Sequence, residues 1–89
     1  MKGKTESGFE YEVDPKKMRD VRFVIAYKKA AQSQDSTDAV LLIPMILGEA
    51  QSEALFTHCE KDGVADAEDV WTEFGEIMGA LSEDAETKN

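Results

Sequence analysis

The only histidine and the only cysteine, His58 and Cys59, are neighbours, and a thiol beside an imidazole is the pairing from which a cysteine nucleophile is built. Adjacent residues on a helix point about 100° apart, so the two side chains cannot face each other there, and no third group stands nearby to orient the ring. A semi-buried structural pair is expected. The segment His58 to Asp69 invites a second chemistry, calcium binding, because Gly63 falls at the sixth position of a twelve-residue loop between two helices. Its first position is His58 rather than Asp, and its twelfth is Asp69 where a longer, bidentate Glu belongs. Asp62-Gly63 is instead expected to stop a helix. Glu73 and Glu76 fall on the polar side of an amphipathic pattern and are expected to be solvated. The sequence holds no glycine-rich phosphate loop and no basic-aromatic stripe. No catalytic residue, metal site or cofactor is therefore expected.

Charge narrows the partners. The 89 residues carry 19 acids and 10 bases, a net −9, which disfavours nucleic acid and anionic lipid, both of which are bound through Lys and Arg. The distribution is uneven. Residues 1–30 hold eight of the bases and five acids, whereas residues 31–89 hold only Lys61 and Lys88 against fourteen acids. A basic front meeting an acidic back would favour head-to-tail assembly with a salt-sensitive component. One cysteine excludes an internal disulfide. The longest apolar run, Ala39 to Leu47, is nine residues, well short of the roughly 20 that a spanning helix needs. With no apolar stretch after its first lysines, the chain is expected to stay in the cytoplasm.

The elements that must position these residues make one mainly α domain over 1–82: an N-terminal β-hairpin (1–14), about four helices, and a mobile acidic tail at 83–89. Phe9-Glu10-Tyr11-Glu12-Val13 alternates strictly, and Glu6-Ser7-Gly8 suits a three-residue turn with glycine in the left-handed position. That register sets Lys4 opposite Glu10 and Lys2 opposite Glu12, and a one-residue slip would lose both pairs. Asp14 and Pro15 suit the start of a first helix running to about Gln32, with Asp20 as an alternative start. Asp35, Ser36 and Thr37 are cap candidates for a second helix to Leu47. Gly48 divides it from a third, about Glu49 to Lys61. Asp66 caps the fourth, on which Val70, Phe74, Ile77, Met78 and Leu81 recur at helical spacing beside Trp71.

The second helix is apolar on every side. Such a helix either sits wrapped at the centre of the domain or keeps one side open for a partner. Pro44, late in that helix, is expected to free the Val40 carbonyl and kink it. On the open alternative Leu42, Met45 and Ile46 are the contact residues, joined by Met78 of the fourth helix. Leu42→Asp or Met45→Asp is then expected to abolish association and spare the far-UV dichroism.

Lys2 to Asp14 (Lys-Gly-Lys-Thr-Glu-Ser-Gly-Phe-Glu-Tyr-Glu-Val-Asp), Ile46-Leu47-Gly48-Glu49-Ala50-Gln51, and His58 to Gly63 ahead of the last amphipathic helix together resemble the small tail assembly chaperones of long-tailed phages and prophages of Gram-positive bacteria. The likeness covers about residues 2–81 in order and spacing. It departs at Ala50, where a second acid is expected, and at Val64-Ala65-Asp66, where the family has Arg-Val-Pro. The resemblance implies a mainly helical, non-enzymatic protein that self-associates and coats the long helical tape measure protein in the host cytoplasm until tail tube subunits polymerise around it. Family members are typically made in two forms, the longer one by frameshifting, and that form is the one expected to meet the tail tube protein. A different class remains open beside it: a small acidic adaptor or inhibitor that meets a basic host protein through residues 60–86.

Overall fold

The computed structural model describes residues 1–33 and 39–87, the last five by their backbone alone. The alternating N-terminus forms the expected hairpin: β1 (Lys2–Lys4) pairs antiparallel with β2 (Glu10–Glu12), with Lys2 opposite Glu12, Gly3 opposite Tyr11 and Lys4 opposite Glu10. At the turn the Gly8 N–H donates to the Thr5 carbonyl at 3.0 Å, the Thr5 N–H donates to the Phe9 carbonyl at 2.9 Å, and Gly8 has a φ of 99°. Phe9, Tyr11 and Val13 are buried, while Glu10 and Glu12 face outward. The Tyr11 ring lies across Gly3, where even a methyl group would overlap the phenol. The cross-strand aromatic thus fills the space that β1 leaves empty.

Asp14 accepts from the Lys16 N–H at 3.0 Å, but the helix it opens is a single 3₁₀ segment, Pro15–Arg19. The first α-helix, α1 (Val21–Gln32), starts one residue after Asp20, whose Oδ1 accepts from the Arg22 N–H at 2.8 Å. Asp20 is therefore the true cap and Pro15 is not the start of α1. Asp20 itself is extended, with a φ of −63° and a ψ of 127°, so the 3₁₀ segment and α1 cannot be one continuous helix. The Arg22 guanidinium bonded to Asp20 holds that carboxyl below its ordinary range.

The expected division at Gly48 is present: α2 (Ile43–Cys59) is two helical runs joined at Gly48, whose φ of 80° and ψ of 169° are not helical, while a turn at Leu41 and Leu42 interrupts the expected second helix before α2 begins. Two side chains take up carbonyls at the bend: Ser52 Oγ donates to Gly48 O at 2.7 Å and Gln51 Nε2 donates to Leu47 O at 2.8 Å. Gln51 also clamps the hairpin, accepting from the Glu12 N–H and donating to the Glu12 carbonyl, both at 2.7 Å, as a neighbouring strand would. Pro44 lies in the first turn of α2 rather than late in a helix, where its missing N–H costs nothing. The kink belongs to Gly48. The proposed caps Asp35, Ser36 and Thr37 lie outside the described residues.

Asp62-Gly63 makes a turn between two further short strands, β3 (Glu60–Lys61) and β4 (Val64–Ala65), rather than a simple helix stop. Both turn residues have positive φ, 53° and 80°, as a two-residue type I′ hairpin demands. The last helix, α3 (Ala67–Thr87), is capped as expected, Asp66 Oδ1 accepting from the Glu68 N–H at 2.8 Å, and it runs five residues into the segment assigned to the tail. The described residues thus form three α-helices, not about four, with the hairpin laid across them. Leu42, Ile43, Ile46, Leu55, Phe74, Ile77 and Leu81 make the centre of the core.

Candidate functional site

The polar residues with chemical potential do converge. Ser7 in the hairpin turn, His58 near the end of α2 and Glu73 on α3 meet at one surface groove that Cys59 also lines. Ser7 Oγ lies 2.8 Å from His58 Nε2 and 2.7 Å from Glu73 Oε1, and Thr5 Oγ1 donates to the same carboxylate oxygen at 2.7 Å. The proton order follows from the donors. Glu73 as carboxylate accepts from both hydroxyls, so Ser7 has its proton turned to Glu73 and receives the His58 Nε2–H. In this arrangement the Ser7 proton points at Glu73 rather than at the ring. Glu73 also stands 4.0 Å from the same Nε2 rather than behind the ring at Nδ1, where an orienting carboxylate is needed. The cluster is a latch that pins the hairpin turn to α2 and α3. A second bond, from the Glu6 N–H to Glu76 Oε2 at 3.0 Å, extends it, and the Phe9 ring packs against His58 at 5.5 Å. Glu73 and Glu76 are therefore not simply a solvated face: Glu73 is buried and Glu76 half-buried.

Cys59 is buried, as expected of a structural thiol. Burial pushes its pKa up, and the charges of Glu73 and Asp69 add to that, so the nucleophilic thiolate is scarce at neutral pH. Iodoacetamide at near-neutral pH should leave Cys59 of the native protein largely unmodified over a period in which the urea-unfolded chain reacts fully. Comparable rates would show that the thiol is open and active. Among the described residues no group of three or more His, Cys, Asp and Glu side chains is placed to hold a metal ion. No helix there is long and apolar enough to cross a membrane.

The surface offers a second candidate. α1 turns Phe23 into the core with Ala26 and Ala30 packed beside it, and leaves Val21 (66 % exposed), Val24, Ile25 (51 %) and Tyr27 outside. Leu41 (71 %) and Met45 (37 %) lie close to the same helix. An apolar groove runs on either flank of α1. One of about 310 Å³ is walled by Ala26, Lys29, Ala30, Leu41, Leu42 and Met45, and the other, of about 320 Å³, lies between α1 and α3. Scattered single apolar residues on a surface need no explanation, but a contiguous set of this size does.

Of the four residues expected to contact partners, only Met45 is plainly accessible. Leu42 and Ile46 are core, and Met78 is half-buried on the wall of the α1–α3 groove. The open side of the apolar segment is carried by Leu41 and Met45 instead. Val21, Val24, Ile25 and Tyr27 were not singled out in the sequence, although Val21-Arg22-Phe23-Val24-Ile25-Ala26-Tyr27 is apolar almost all round and meets the criterion applied to the second helix. No protein-family model, no curated protein and no solved structure matches the chain.

Proposed function

We propose that the protein is a non-enzymatic assembly chaperone, working as the resemblance to tail assembly chaperones implies: several copies cover a long helical tape measure protein in the bacterial cytoplasm and keep it soluble until the tail tube forms. The supporting observation is the uncovered apolar surface around α1, and above all the groove where Leu41 and Met45 stand open beside Ala26 and Ala30. A groove of that lining suits the apolar stripe of an amphipathic helix. Methionine at its rim adapts to varied side chains, and many weak sites along one client add up to firm binding. The polar latch serves this role by holding the hairpin against α2 and α3, so that the helices present a fixed surface.

Co-expression with a long coiled-coil protein encoded beside this one tests the proposal. The wild-type chain should keep that client soluble and co-purify with it. Leu41→Asp/Met45→Asp, which alters only exposed positions, should leave the client insoluble while keeping its own far-UV dichroism. A client that stays insoluble with the wild type, or that is rescued equally by the double variant, would remove the proposed role.

A further inference from the structure

The outer sides of α1 and α3 are opposites. On α1 the outward positions Val21, Val24, Ile25 and Lys28 recur at i, i+3, i+4 and i+7, so they form one ridge along the helix. β-branched residues lower helix propensity, and here Val21, Val24 and Ile25 stay 38–66 % exposed. On α3 the outward positions Glu68, Thr72, Gly75, Gly79 and Ser82 are all exposed and recur at i, i+4, i+7, i+11 and i+14. Beyond Glu68 nothing there is larger than threonine. A Cβ added at Gly75 or Gly79 would meet no atom within 4 Å, so no contact inside the protomer calls for glycine at either place.

Charge divides the same way. The 3₁₀ segment and α1 carry Lys16, Lys17, Arg19, Arg22, Lys28 and Lys29 against the single acid Asp20. Along α3, residues 67–82 hold no base: Glu68 lies on the outward row and Asp69 is exposed beside it, while Glu73 and Glu76 are taken up by the hairpin. Both faces border one groove, where Val24, Tyr27 and Lys28 of α1 stand across from Met78, Gly79 and Ser82 of α3.

We infer that a second copy of this chain covers this side, in a two-fold dimer in which α1 of each protomer lies on the outer face of α3 of the other. The occupant follows from complementarity. α1 on α1 would set bases against bases, and α3 on α3 acids against acids, whereas α1 on the partner's α3 opposes unlike charges and sets a β-branched ridge over a trough of small residues. Since ridge and trough flank one groove, a two-fold axis along that groove makes both contacts at once and closes the assembly. The Leu41–Met45 groove, on the other flank of α1, stays free for the client. The dimer rests on the proposal that the protein works by association, but it needs no client.

Sedimentation velocity of the purified chain over a range of concentrations tests it. The wild type should dimerise reversibly, and more weakly as salt is raised. Gly79→Leu, which fills the trough without touching the core, should weaken the dimer at least about tenfold while far-UV dichroism and the unfolding midpoint are kept or raised. Lys28→Glu should weaken it as well. A wild type that is monomeric at hundreds of micromolar, or a dimer indifferent to both substitutions, would overturn the inference. So would a dimer tightened by Lys28→Glu, the result expected if α1 met α1. If a strictly monomeric protein still solubilises its client, the dimer is lost and the chaperone role stands.

Discussion

Leu42→Asp is expected to unfold the protein, whereas Met45→Asp, three residues on, should fold normally. Leu42 is 2 % exposed in the centre of the core, packed among Ile43, Ile46 and the α3 residues Phe74 and Ile77. A carboxylate there loses its water inside an apolar cluster. The cost is about 4 kcal/mol or more, against a total stability on the order of 5–10 kcal/mol for a domain of this size. Urea denaturation followed by far-UV dichroism should show little native baseline for Leu42→Asp. Met45, with 37 % of its surface already in water, should shift by about 0.5 kcal/mol or less. From sequence both changes are expected to spare the fold; burial reverses that expectation for Leu42 and keeps it as the expected result for Met45. A native-like Leu42→Asp would mean that α2 is not held in the core.

Glu73→Ala should cost about 3 kcal/mol and free the hairpin turn first. Two hydroxyls from the turn, those of Thr5 and Ser7, donate to one carboxylate oxygen of this buried side chain. Hydrogen bonds to a charged group contribute about 1.5–3 kcal/mol each, and a buried donor left without an acceptor adds a desolvation cost. Thr5 is itself buried, and its hydroxyl also accepts from the Phe9 N–H at 3.1 Å, so the loss reaches the backbone of the turn. Glu73→Gln keeps an acceptor and should cost clearly less. Hydrogen exchange at Thr5, Gly8 and Phe9 should rise in the alanine variant before exchange in α3 does. A loss below about 0.5 kcal/mol with unchanged protection at the turn would rule out the latch.

The hairpin was legible because everything that sets it is close in the chain: strict alternation, two opposite-charge pairs that a slip would break, and a glycine where the turn needs positive φ. The caps Asp14, Asp20 and Asp66 were legible for the same reason, as each bonds an amide two residues ahead. The latch was not. Glu73 looks like any acid at the edge of an amphipathic stripe, and the hydroxyls that bury it stand 66 and 68 residues away. Asp62-Gly63 allows both a helix end and a type I′ turn, and the choice fell to whether Glu60-Lys61 found Val64-Ala65 to pair with.

Composition and spacing by themselves determined a mainly helical domain led by a hairpin, a basic front and an acidic remainder, and an apolar segment at Ala39 to Leu47 with more apolar surface than one face can use, a property that Val21 to Tyr27 shares. They left open which sides of those segments the core would take. A helix that is apolar almost all round has no preferred inward face of its own, so its rotation is set by the shape of what it packs against. Only the tertiary structure decided that Leu42 and Ile46 turn inward while Leu41 and Met45 stay out, and that α1 spends Phe23 and its alanines on the core. That choice left Val21, Val24 and Ile25 in water, and with them the surface on which the function is proposed to rest.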